Sequence, residues 1–140
     1  MMLCVKMIEK LFANTVYVKV FSNRFELKHI ESGKSEIAVS DESFATERLL
    51  VGTFSIAENV LKRAMKQLHQ NRWFSPSPIV VIQPMEKVEK GLSEVEERVL
   101  LELAAGAGAR RVIVWEGHEL SDEEVTKKAG RAPIDSATRW

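Results

Sequence analysis

The chain alternates between two hydrophobic periods, and the switches between them predict its elements. Over TVYVKVF, residues 15–21, Val16, Val18 and Val20 alternate with Tyr17, Lys19 and Phe21. That period of two is the signature of a strand. Ser22-Asn23 offers a turn, and RFELKHI, 24–30, alternates again through Phe25, Leu27 and His29. Ser32-Gly33-Lys34 is a second turn, and EIAVS, 36–40, puts Ile37 and Val39 on one face. Short connections between alternating strands predict a three-stranded antiparallel meander.

Residues 41–54 lose the pattern and read as a loop, with room for a short strand at Leu49-Leu50-Val51. The period then becomes helical. Ser55-Ile56-Ala57-Glu58 has the form of a capping box, followed by a stripe of Ile56, Val60, Leu61, Ala64, Met65 and Leu68. This helix is expected to stop near Asn71, ahead of Pro76 and Pro78. IVVIQ, 79–83, and RVIVW, 111–115, are continuous apolar runs of the kind found in buried parallel strands. Between them, Ser93-Glu94-Val95-Glu96 opens a helix through Val99, Leu100, Leu103, Ala104 and Ala107. Strand, helix and strand over 79–115 predict a right-handed βαβ unit. A third capping box, Ser121-Asp122-Glu123-Glu124, opens a short helix to about Ala129, with Gly130 as its stop. The fold class is α/β: a mixed sheet of about five strands, meander plus βαβ, with flanking helices. Val16, Val18, Val80, Ile82, Leu100, Leu103, Val112 and Val114 are expected in its core.

Composition narrows the function by exclusion. A chain of 140 residues suits one domain, read as 15–130 between an N-terminal segment, 1–14, and a tail, 131–140. Twenty basic and twenty acidic residues cancel, so no overall field draws nucleic acid, and no nucleic-acid partner is expected. Cys4 stands alone, as suits a reducing cytoplasm. No apolar run reaches the ~18 residues of a membrane span. His29, His69 and His118 lack metal-site spacing, so neither a metal nor a cofactor is expected. Gly106-Ala107-Gly108-Ala109 follows a helix, whereas a phosphate cradle precedes one, so capping and tight packing explain it. The carboxylates Glu94, Glu96 and Glu97 suit the positive end of a helix.

Residues 1–14, MMLCVKMIEKLFAN, read as an amphipathic helix in which Lys6, Glu9 and Lys10 share the polar face. Leu3, Met7, Ile8, Leu11 and Phe12 are the candidate docking residues, toward a membrane surface or a protein partner. The other reading of this helix packs it on its own domain or on a second copy of the chain.

Phe74-Ser75-Pro76-Ser77-Pro78-Ile79-Val80-Val81-Ile82, and further stretches in order, resemble the bacterial actin-like, rod-shape-determining MreB family, the first being similar to its RPSPRVLVCVP. Ser93-Glu94-Val95-Glu96-Glu97-Arg98 is similar to its T-x-V-E-R-R, and 105–116, AGAGARRVIVWE, to its QGAGAREVFLIEEP. SIAENVLKRAMKQLH, 55–69, is similar to V-T-E-x-M-L-x-x-F-I-K-x-V-H. The resemblance implies a ribonuclease-H-like sheet, as in one subdomain of each half of actin-like ATPases. It also implies a D-x-G-T phosphate loop in the first hairpin, where this chain has Lys19, Phe21 and Ser22. A cation there replaces the carboxylate, and a ring replaces the glycine. After residue 116 the family's second phosphate loop, D-I-G-G-G-T, has no counterpart in GHELSDEEVTKKAGRAPIDSATRW. Glu96 aligns with the family's water-positioning glutamate but is not expected to inherit that role. EKVEK, 86–90, is an insertion relative to the family. The expectation is therefore a non-catalytic relative acting in cell shape or a cytoskeleton-linked assembly. Its expected partner is an MreB-type or envelope protein, or itself, with weak membrane contact at the inner face as an addition. The alternative is a small enzyme, or a nucleotide-dependent protein whose site another chain completes.

Overall fold

A computed structural model describes residues 14–70 and 76–131. The docking segment at 1–12, the Trp73-Phe74-Ser75 stretch and the tail beyond 131 lie outside the described residues. Five strands form one sheet in the order β3-β2-β1-β4-β5: β1 (Thr15–Phe21), β2 (Arg24–His29), β3 (Ser35–Val39), β4 (Ile79–Pro84) and β5 (Arg111–Val114). The meander pairs antiparallel, while β1–β4 and β4–β5 are parallel, so β2 alone runs against the others. Helices α1 (Phe54–Leu68) and α2 (Glu94–Gly106) connect the strands, and α3 (Asp122–Thr126) follows β5.

Period-two alternation delivers two faces. Val16, Val18, Val20, Phe25, Leu27, Val80 and Ile82 point to one side and are sealed by α1 and α2 through Leu61, Leu68, Leu100 and Leu103. On the other side Tyr17 and Val81 pack against Leu120 and Val125, beside α3. Interior strand β4 is buried on both faces, and for that reason its sequence is continuously apolar. Val112 and Val114 are only half-buried, because β5 is an edge strand. Ile37 and Val39 do share a face, and it is the open one. Their cross-strand partners are Glu26 and Arg24, while Ala38 sits opposite Phe25 on the covered side.

Two capping boxes form as expected. Ser93 Oγ accepts from Glu96 N at 3.2 Å while Ser93 N donates to Glu96 Oε1 at 3.1 Å. Ser121 and Glu124 repeat the arrangement. The box at Ser55 does not form: α1 starts one residue earlier, with Thr53 at the cap and no side-chain bond to it. The chain enters α1 already anchored, since Gly52 N and Thr53 N both donate to Phe44 O, at 2.7 and 2.9 Å. That anchor places Ser55 inside the first turn. No strand forms at Leu49-Leu50-Val51. Helix α1 ends at Leu68, short of Asn71, because Leu68 is the last residue of the stripe that reaches the core and His69 Nδ1 meets Met65 O at 2.9 Å. The last helix is shorter than expected too. After Thr126 it widens into a looser turn, Lys127–Arg131, in which Gly130 takes φ 80°.

Candidate functional site

In α/β sheets, ligands gather at the carboxyl ends of the parallel strands. Here that edge is formed by the turn after β1, the segment after β4 and the segment after β5. β1 turns through Ser22 and Asn23, and Asn23 adopts φ 60°, a left-handed conformation that asparagine tolerates better than most residues. Asn23 Oδ1 accepts the backbone N–H groups of Phe44 and Ala45, at 2.8 and 2.9 Å, and the Ser43 hydroxyl at 3.2 Å. Phe44 is fully buried and stacks on Phe25 with ring centroids 5.0 Å apart. The turn therefore clamps the otherwise irregular 40–53 segment to the sheet.

The remaining groups of the turn also have internal partners. Ser22 N–H donates to Glu86 Oε1, and this bond holds the Glu86 carboxyl below its usual range. A backbone N–H in such a turn is what an anion-binding loop presents to phosphate; here a carboxylate from the segment after β4 takes it. Lys19 Nζ lies 3.4 Å from Glu119 and 3.7 Å from Glu26. The Arg24 guanidinium sits 4.1 Å from the centre of the Phe21 ring. Lys19, Phe21 and Ser22 thus share one end of the sheet, each engaged by a neighbour. Glu96 is occupied in the capping box of α2.

Beside this turn lies a small apolar cleft of about 60 Å³, between Leu49–Val51 and the residues Val88, Leu92, Val95 and Val99. Val95 and Leu49 on its rim are 73% and 42% exposed. Exposed apolar residues beside an apolar cleft make this a candidate contact surface.

Each histidine has a local partner. His29, buried, meets Ser32 Oγ at 2.7 Å and Glu31 at 3.4 Å; His69 meets Asn14 Oδ1 at 3.0 Å. His118 meets Glu124 at 2.8 Å. Glu124 is brought down to about 2, first by the Ser121 N–H and then by His118. Among the described residues, no three His, Cys, Asp or Glu side chains gather as a metal site.

A polar network on the second face is absent from the expectations. Tyr17 Oη donates to Gln83 Oε1 and accepts from Leu120 N at 3.1 Å. Gln83 Nε2 donates to Gly117 O and His118 O, at 2.8 and 3.1 Å. Burial pushes the Tyr17 phenol up. These bonds tie the segment after β5 to the sheet, and the one available signal was a lone glutamine ending an apolar run. No helix among the described residues is long and apolar enough to cross a membrane.

No protein-family model matches the chain. The uncharacterized protein YjaA of Escherichia coli K12 is 37% identical over 99 residues, which is 67% of this chain and 76% of YjaA. The cell shape-determining protein MreB of the same organism is 37% identical over 67 residues, 48% of this chain and 18% of MreB. MreB of Pasteurella multocida is 32% identical over 90 residues, 64% of this chain and 23% of that protein. The chain thus matches less than a quarter of the length of either MreB.

Proposed function

The chain belongs to the family of the uncharacterized Escherichia coli protein YjaA, and from that footing, with the partial likeness to MreB beside it, we propose that it is a non-catalytic, MreB-related domain working through protein contacts in cell shape or a cytoskeleton-linked assembly. The order β3-β2-β1-β4-β5, with β2 alone reversed, supports the finer reading of a ribonuclease-H-like, actin-type sheet.

The observation that carries the proposal is the bond from Ser22 N to Glu86. The resemblance to MreB puts a phosphate loop at this turn. A phosphate seated there would have to displace a carboxylate already bonded to the N–H, against the repulsion of that same charge. Lys19 and Phe21 supply neither the carboxylate that would organise magnesium nor the glycine that would let backbone approach phosphate. A contact surface needs no such constellation, and the rim of Leu49 and Val95 offers one.

Titration calorimetry with Mg·ATP at millimolar concentration tests the first half, and no binding is expected. Micromolar affinity, or hydrolysis lost in Glu96→Ala, overturns it. Pull-down of purified MreB and of envelope proteins, by the full chain and by a form lacking residues 1–12, tests the second. Capture by the full chain supports the reading, and a chain that captures none of them overturns it. Loss of capture in the shortened form would assign docking to Leu3, Met7, Ile8, Leu11 and Phe12.

A further inference from the structure

Among the described residues, β3 lies at an edge of the sheet and pairs on one side only, with β2. Ser40 N donates to Asn23 O at 2.9 Å and His29 N to Lys34 O at 2.8 Å, which fixes the phase of the β2–β3 ladder. In an antiparallel pair, alternate residues bond to the neighbour. Lys34, Glu36, Ala38 and Ser40 therefore turn their backbone groups to β2, and Ser35, Ile37 and Val39 turn theirs outward. The side chains of Ile37 and Val39 are 63% and 68% exposed. Protein edges are ordinarily guarded by lysine, proline, a bulge or a covering element. Between Ser35 and Val39 there is no proline and no break in register, and the one charge, Glu36, lies on the same face as Ala38, the covered one.

We infer that β3 pairs antiparallel with β3 of a second copy of the chain, about a twofold axis at Ile37, joining two five-stranded sheets into one. The outward-bonding residues are symmetric about Ile37, so Ile37 meets Ile37 of the second copy and Ser35 meets Val39 of the second copy. Both ladder phases then match without a slip. The charges favour the same direction. Lys34 precedes the strand and Asp41-Glu42 follow it, so antiparallel pairing sets Lys34 of each copy beside Ser40-Asp41 of the other. Glu36 faces an uncharged Ala38. A parallel in-register pairing would set Glu36 against Glu36 and Lys34 against Lys34, which is unfavourable. On the open face the Ile37–Ile37 pair is apolar, and each Val39 lies beside it opposite Ser35 of the other copy. Five residues per strand make a small interface, so the dimer is a weak one.

This inference stands on the edge strand alone: a chain that stays monomeric yet captures MreB would leave the proposed function in place. Sedimentation equilibrium of the full chain, from roughly 10 µM to 1 mM, is expected to show a monomer–dimer equilibrium. In Ile37→Lys two like charges oppose each other across the axis, and the dissociation constant should rise by roughly tenfold or more. Leu101→Lys, at another exposed apolar position but on α2, should leave it unchanged. Amide exchange on the unmodified chain guards against a folding defect in the variant. The Ser35, Ile37 and Val39 amides should be protected at high concentration and exchange on dilution. A chain monomeric throughout, a dimer indifferent to Ile37→Lys, or amides equally unprotected at both concentrations each overturns the proposal.

Discussion

Asn23 holds the 40–53 segment through both its backbone and its side chain, and its replacement separates these two contributions. Its backbone is left-handed, at φ 60°, and its side-chain oxygen accepts from Phe44 N and Ala45 N. Asn23→Gly keeps the backbone relaxed and removes only the acceptor. Two partly buried N–H groups then lose their partner, a loss of roughly 1–3 kcal/mol. Asn23→Ala removes the same acceptor and adds the cost of an alanine in the left-handed region, about 1 kcal/mol more. The expected order is therefore parent, then Gly, then Ala, with the alanine variant roughly 2–4 kcal/mol less stable than the parent. Urea unfolding at constant pH measures both. Amide exchange should quicken first at Phe44 and Ala45, because the clamp on the 40–53 segment opens before the sheet does. If Asn23→Ala unfolds within about 0.5 kcal/mol of the parent, or if Gly costs more than Ala, the clamp is not what holds this segment.

Leu103 is wholly buried between α2 and the sheet, so Leu103→Ala should cost ~2–5 kcal/mol in the same assay. Val112, half-buried on edge strand β5, should cost clearly less on truncation to alanine, and equal losses would contradict the burial of the two sites. Glu124 is shifted from 4.5 to about 2 by the Ser121 N–H and His118. A carboxylate lowered by folding contributes stability that is complete above its unfolded value and fades as pH falls through the folded one. Melting temperature should therefore decline between pH 4.5 and about 2, and decline less steeply in Glu124→Gln; identical slopes would show that the capping box does not bind the carboxylate as described.

What the sequence disclosed and what it hid divide along one physical line. Local patterns that are satisfied locally were legible: the alternation of β1 and β2, the apolar runs of β4 and β5, and the boxes at Ser93 and Ser121. Ser55-x-x-Glu58 has the same local form yet does not cap, because Phe44, distant in sequence, fixes where α1 begins. Glu58 instead faces Lys62 at 3.5 Å and lies against Gly106 of α2, where any Cβ would meet its carboxylate. The glycine of the GAGA stretch thus serves a helix–helix approach, and only Gly108, at φ 109°, acts as a helix stop. Phe44 itself was invisible to periodicity, being one aromatic residue in a polar stretch. Alternation in β3 likewise gives two faces without saying which is covered. The larger side chains, Ile37 and Val39, face solvent because the register with β2 puts Ala38 beside Phe25.

The candidate site follows the same rule. Glu86 was legible only as one acid among many, in a stretch that departs from the MreB pattern. Its position three residues past the buried Gln83 carries it back over the β1 turn, where Ser22 N waits without a strand partner. A charged loop long enough to fold back can fill an anion site with the chain's own carboxylate. On the proposed function, that contact would explain why the turn carries Lys19 and Phe21 in place of the carboxylate and glycine of the MreB pattern. On this reading the substitutions at the turn and the acid in the next loop are one change, and Glu86→Ala would free the N–H without restoring a phosphate site, since Lys19 and Phe21 would remain.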